Sequence, residues 1–199
     1  MDILTQYVQF EEVIKGSRFL SELIQCETQA QARQIIKDQK TKYADATHVV
    51  HAFITGDSAE IMGMSDDGEP SGTAGRPVLD VLKGRNCTNV ILTVTRWFGG
   101  TLLGTGGLVK AYSGGAKKVI ETADAACAFA PLVHKTDFMF AADYSSYKVL
   151  KKHLELYTTF NVTEDFGTEI TISGQIKTDE KDKLKAAIFD MSNGRIQVL

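Results

Sequence analysis

Arg96, Trp97 and Phe98 stand directly before five glycines in nine positions, Gly99-Gly100-Thr101-Leu102-Leu103-Gly104-Thr105-Gly106-Gly107. Glycine at this density lets a backbone take positive φ or approach a partner closely. A turn of exposed N–H groups at a helix start, beside a guanidinium, is a candidate anion site. Its candidate phosphate contacts are Arg96 and the backbone of Gly99, Gly100, Gly104, Gly106 and Gly107, with Arg76 and Lys110 as flanking charges. Trp97 and Phe98 have the flat apolar faces on which a base or ribose stacks.

A second constellation runs from Ser65 to Pro77. Asp66, Asp67 and Glu69 are three carboxylates within four positions, the oxygen donors that Mg²⁺ prefers. Their spacing is not that of an EF-hand, so they are only candidate metal ligands, and no metal or other cofactor is assigned. Ser71, Gly72 and Thr73 offer small donors to a phosphate and, with His48, form a candidate wall opposite the glycine turn. His48 and His51 lie three apart in an apolar run; on a strand they point to opposite faces and do not share a metal.

Several common chemistries are excluded by pattern. The sequence GxxxxGK[ST] does not occur, and Gly104-Thr105-Gly106-Gly107-Leu108-Val109 does not complete GxGxxG. No GxSxG elbow is present for a serine hydrolase. Cys26, Cys87 and Cys127 are widely spaced without CxxC, as expected of reduced thiols and not of a zinc site or disulfide framework.

The elements that must position these residues fall into two sets. Val8–Ile14 and Arg18–Gln25 alternate as strands around Lys15-Gly16-Ser17. Thr28 caps a helix reaching about Lys40, with Ala32, Ile35 and Ile36 inward. Thr47–Ile54 and Ala59–Met64 are strands turned at Gly56-Asp57, and a short helix starts at Pro77. Strand Val90–Thr95 enters the glycine turn, and a helix spans about Leu108 to Thr122, its Gly114-Gly115 kept for close packing on a sheet. After Ala123–Pro131 the rhythm changes. Phe138, Phe140 and Ala142 alternate, and Asp143 caps a helix with Tyr147, Leu150 and Leu154 inward. Two more alternating runs, through Phe160–Phe166 and Ile170–Ile176, form a hairpin. Thr178 or Asp179 caps a second helix, and Arg195–Leu199 reads as a closing strand. The order β-α-β-β-α-β is the split βαβ, ferredoxin-like arrangement, with both helices on one face of the sheet. The expected architecture is α+β in two domains, 1–131 and 132–199.

At 199 residues, 43% apolar, the chain can bury a core in each domain. No apolar run approaches the roughly 20 residues of a membrane span, and the first residues lack a signal-peptide pattern, so a cytoplasmic protein is expected. The net charge is −3, yet Arg76 to Lys118 holds seven basic residues against Asp80 alone, a local excess of +6. If those residues gather in space they make an electropositive footprint.

Arg96-Trp97-Phe98-Gly99-Gly100, with Gly104, closely resembles the signature of the IMPACT family, which includes bacterial YigZ proteins and the C-terminal domain of eukaryotic IMPACT. Asp67 to Gly75, Gly16-Ser17-Arg18-Phe19 and Asp45-Ala46-Thr47-His48 fit the same pattern in the same order. The resemblance implies a first domain of the ribosomal protein S5 domain-2-like fold and a second similar to the last domain of elongation factor G. It also implies a link to translation, since the eukaryotic relative regulates translation in amino-acid starvation, a stress response. The expectation is therefore a cytoplasmic, non-catalytic, ribosome-associated or RNA-binding regulator that meets RNA, the ribosome or another phosphate-bearing ligand through the glycine turn. One alternative is a metal-assisted hydrolase of a phosphorylated or nucleotide substrate, using Asp66, Asp67, Glu69 and His48. Another is a protein-interaction module with a partner in translation control.

Overall fold

The computed structural model describes residues 1–199, which divide into two units, Met1–Leu132 and Val133–Leu199. The first contains β1 (Asp2–Leu4), β2 (Val8–Ile14), β3 (Ser17–Gln25), α1 (Gln29–Lys42), β4 (His48–Thr55), β5 (Ile61–Ser65), α2 (Gly75–Arg85), β6 (Cys87–Thr88), β7 (Val90–Trp97), α3 (Thr105–Ala125) and β8 (Phe129–Pro131). Five strands make an antiparallel sheet in the order β2-β3-β7-β4-β5. Lys15 and Gly16 both have positive φ in the β2–β3 turn, as a tight hairpin with right-twisted strands requires.

β7 is central and covered on both faces, which is why it reads as an almost unbroken apolar and threonine run. One face, through Phe19, Leu23, Val50, Ala52, Leu92 and Val94, joins the main core with α2 and α3. The other, through Ile24, Phe53 and Ile91, meets Ala32, Ile35 and Ile36 of α1 in a smaller cluster. Thr28 caps α1, its side-chain oxygen accepting from the Gln31 N–H at 3.2 Å. Of the adjacent α3 glycines Gly114 and Gly115, only Gly115 is required by packing: a Cβ there would lie 2.7 Å from Ser21 Oγ on β3, whereas Gly114 faces open space.

The second unit contains β9 (Lys135–Ala142), α4 (Tyr144–Leu154), β10 (Thr159–Phe166), β11 (Ile170–Lys177) and α5 (Lys181–Met191). Its antiparallel order is β10-β11-β9, and Leu150, Leu154, Leu184 and Ile188 of the two helices pack on Phe138, Phe140, Ile170 and Ile172. Asp143 caps α4 through the Ser146 N–H at 2.7 Å.

Four local expectations change. β1, β6 and β8 build a separate three-stranded sheet, too short for periodicity to reveal, and β8 turns the expected exit segment back onto β1. The closing strand is not a ladder: only the Leu199 N–H reaches the Met139 carbonyl, while Ile196 and Val198 still pack into the core. Thr178 to Glu180 form a 3₁₀ turn before α5 without a side-chain cap. Helices α2 and α3 begin at Gly75 and Thr105, earlier than their apolar stripes suggest. No helix is long and apolar enough to cross a membrane.

Candidate functional site

The β7 exit is held by short side chains on its neighbours. Ser17 Oγ accepts from the Gly99 N–H at 3.1 Å, and Thr47 Oγ1 accepts from the Phe98 N–H at 3.0 Å. Gly99 crosses the β2–β3 turn so tightly that a Cβ would sit 1.9 Å from the Gly16 carbonyl carbon. This glycine therefore serves backbone crossing, not approach to a ligand. Gly100 and Gly104 take positive φ beyond it, and Gly104, at +73°, is the residue before α3. With Gly104 there, no side chain caps α3, so the first amides of this 21-residue helix, from Thr105, Gly106 and Gly107, are left to external acceptors.

Below that helix start lies a cleft of about 480 Å³, lined in part by His48, Glu69, Arg96, Phe98, Leu102 and Gly104. Its floor is a buried polar knot. Arg96, 5% exposed, donates from a terminal guanidinium nitrogen to Glu69 Oε1 at 2.6 Å and from the other to Ser17 Oγ at 3.3 Å. Glu69, 8% exposed, also accepts from the Tyr112 hydroxyl at 2.7 Å. Burial, reinforced by that hydrogen bond and by the Glu69 charge, pushes the Tyr112 hydroxyl far above the ordinary phenol range, so it stays a donor. His48 Nδ1 lies 2.7 Å from the Asp67 carbonyl oxygen, which makes Nδ1 the donor; Nε2 then faces Glu69 Oε1 at 3.8 Å. Arg96 Nε is buried and has no partner.

This geometry revises the expected site. Arg96 is not a free cation at a turn's mouth, because Glu69 neutralises it inside the protein. Trp97, the next residue on β7, faces the α1 side, with the Arg18 guanidinium 3.6 Å from its ring centre and Tyr43 edge-on at 5.5 Å. Phe98 remains exposed beside the cleft. Thr73 donates its hydroxyl to the Pro70 carbonyl at 2.6 Å, and Ser71 is an exposed loop residue; neither lines the cleft. Gly72 and Arg76 line a separate groove along α2, and Lys110 lines neither hollow.

The three carboxylates do not converge. Asp66 accepts from the backbone N–H groups of Gly72, Ala74 and Gly75, at 2.8, 3.0 and 2.8 Å. Against the opposing pull of desolvation, those donors hold its carboxyl below the usual range. Asp67 accepts from the Val49 N–H at 2.7 Å and pairs with Lys40, while Glu69 is spent on Arg96 and Tyr112. Asp66, Asp67 and Glu69 therefore organise the loop, and no cluster of metal-ligating side chains forms. His48 and His51 lie on opposite faces of β4, His48 at the cleft and His51 opposite Ser65 and Thr93. Burial pulls the His51 imidazole below its ordinary value, toward the neutral form.

The basic stretch is largely neutralised as well. Arg76 pairs with Asp80, Arg85 with Asp2 and Asp124, Arg96 with Glu69, and Lys118 with Glu12. Tyr112, Ser17 and Leu102 were not singled out from the sequence as site residues. Tyr112 carried a signal: it is the one polar-tipped aromatic inside the apolar stripe of α3.

A family model described as the Impact N-terminal domain matches residues 15–120, the segment that holds every member of this knot. The chain belongs to the IMPACT family. An IMPACT family member of Haemophilus influenzae is 32% identical over 194 residues, covering 96% of this chain and 92% of the relative. The family member YigZ of Escherichia coli is 30% identical over 190 residues, covering 94% and 91%. A solved crystal structure of a hypothetical protein superimposes with a TM-score of 0.71 at 29% identity, covering all of this chain and 95% of that one.

Proposed function

We propose that this IMPACT-family protein is a cytoplasmic, non-catalytic regulator linked to translation. In this reading it binds a phosphate of RNA, free or on the ribosome, in the cleft at the start of α3. Its first unit is then of the ribosomal protein S5 domain-2-like type and its second resembles the last domain of elongation factor G. The observation that carries the reading is the uncapped N-terminus of α3, whose Gly104 and Thr105 line the cleft beside Arg96. The contact differs from the one expected of a free arginine. Glu69 cancels the Arg96 charge, so the phosphate is met by directed backbone N–H groups more than by net charge. Exposed Phe98 is placed to stack on a neighbouring base.

The test is co-sedimentation with ribosomes and with total RNA across a salt series. Arg96→Ala is a poor probe, because it strands Glu69 in the core. Thr105→Asp is better: it puts a carboxylate at the first residue of α3, which favours the helix while repelling a phosphate. Phe98→Ala removes the stacking face without touching the core. Binding that both variants weaken supports the proposal. Binding that neither variant alters, or no binding at any salt, overturns it.

A further inference from the structure

The α1 face of the five-stranded sheet buries polar atoms that the reading above does not use. Glu22 on β3 is fully buried and lies directly opposite Thr93 on β7; the next pair on that face is Leu20 and Thr95. The two carboxylate oxygens of Glu22 fare differently. Oε1 accepts from the Tyr7 and Tyr43 hydroxyls at 2.7 and 3.0 Å and faces Lys42 Nζ at 3.3 Å. Oε2 has no donor, and the fully buried hydroxyls of Thr93 and Thr95 also lack partners. Side chains two apart on a strand share a face, and directly opposite neighbours start about 5 Å apart. These oxygens therefore occupy one patch of the sheet. Helix α1 covers it. Ile35 and Ile36 pack over Ile91, and Tyr43, the residue after the helix, meets Trp97 edge-on at 5.5 Å. Gln39, one turn before Tyr43, crosses β7 between those two points, at the level of Thr93 and Thr95. It is buried, and its Oε1 is unpartnered too.

Polar atoms are costly to bury without a partner, so this grouping calls for an occupant. Glu22 Oε2 and Gln39 Oε1 can only accept, which leaves the patch with more lone pairs than protons. Lys42 does not meet that need, because its side chain is half in water and faces only Oε1. One carboxylate among neutral oxygens suits a hard cation of single charge; calcium draws more carboxylates. Zinc draws several nitrogens or sulfurs, and His51, on the far side of Thr93, supplies one nitrogen. We propose that this patch binds an alkali-metal cation, sodium or potassium, through Glu22 Oε2, Thr93 Oγ1, Thr95 Oγ1 and Gln39 Oε1. Three of those ligands are on the sheet and the fourth is on α1, so the ion ties the helix down. The site lies on the sheet face opposite the cleft, and the inference does not depend on ligand binding there.

The test follows thermal denaturation of the full chain by the fluorescence of Trp97, its only tryptophan, which stands on the same face. Sodium or potassium chloride replaces choline chloride at constant ionic strength, so that screening stays fixed. The midpoint is expected to rise by about 2–4 °C when the cation reaches roughly five times its Kd. The ²³Na resonance is expected to broaden when the protein is added. Thr93→Val/Thr95→Val deletes two ligands with residues that strands favour, and both effects are expected to vanish. Gln39→Met leaves the sheet untouched; it is expected to lower affinity about threefold and so to lose about half of the rise. Equal midpoints in sodium, potassium and choline overturn the proposal and leave the patch to water. An undiminished rise in either variant also overturns it, because the ion then binds elsewhere.

Discussion

Two buried carboxylates occupy opposite faces of the five-stranded sheet, and they are satisfied in different ways. Glu69 reaches the α2–α3 face, where Arg96 lies across from Phe19 and His48 in the ladder. Its cation is as buried as it is. Glu22 lies on the α1 face, fully buried, opposite Thr93 and in one rung with His51. Its Oε1 accepts from the hydroxyls of Tyr7 and Tyr43, at 2.7 and 3.0 Å, and meets Lys42 Nζ at 3.3 Å, a lysine still half in water. Around it Glu22 Oε2, Thr93 Oγ1, Thr95 Oγ1, His51 Nδ1 and Gln39 Oε1 are buried without partners. The first site is a closed pair with one buried spare donor; the second is a polar seam. A buried charge specifies position only when its counter-charge is buried with it, because then neither has solvent to fall back on.

Removing the cation from each site gives the sharpest break. Arg96→Met leaves Glu69 charged and buried and is expected to cost about 3–5 kcal/mol, read as a large drop in the urea midpoint. Tyr112→Phe keeps the ion pair but withdraws a hydroxyl from the carboxylate, a loss of about 1.5–3 kcal/mol by the same measurement. Alkali tests both faces at once. Burial and the nearby carboxylates raise Tyr7, Tyr43 and Tyr112 above the ordinary value of 10.0. The folded state thus holds these protons more tightly than the unfolded state. Their contribution is complete below pH 10 and is lost as pH climbs through the folded values, so stability falls above about pH 10. A Tyr112→Phe/Tyr7→Phe double variant is expected to flatten that fall in denaturation measured from pH 8 to 12. Acid reaches the seam through His51. Its folded value is lowered, so its contribution is present above the ordinary value of 6.5 and fades as pH drops through the folded value. His51→Gln is expected to flatten stability between pH 7 and 5. Smallest is Lys42→Met, about 0–1 kcal/mol, since that lysine is half exposed. A cost equal to that of Arg96→Met would erase the distinction between the two carboxylates.

Periodicity, caps and turn residues determine the long elements on their own. β2, β3, β4 and β7 alternate or run apolar as strands must, Thr28 and Asp143 cap the helices they precede, and Lys15-Gly16 makes the hairpin. These are local effects, set within a few residues by sterics and hydrogen bonds. The sheet of β1, β6 and β8 was not legible, because strands of two and three residues have no period and are held only by partners distant in the chain. The motif residues were legible as a group, but not the partners each would meet. Arg96 and Trp97 are neighbours, yet strand pleating sends one to the cleft and the other to the α1 face. Which face each met depended on what the rest of the chain laid there. Glu69, in a loop 27 residues upstream, found Arg96 through the fold alone. Sequence by itself determined the strand, the turn and the helix that carry the site. Tertiary structure decided that its cation is buried and neutralised, since charge pairing depends on distance in space.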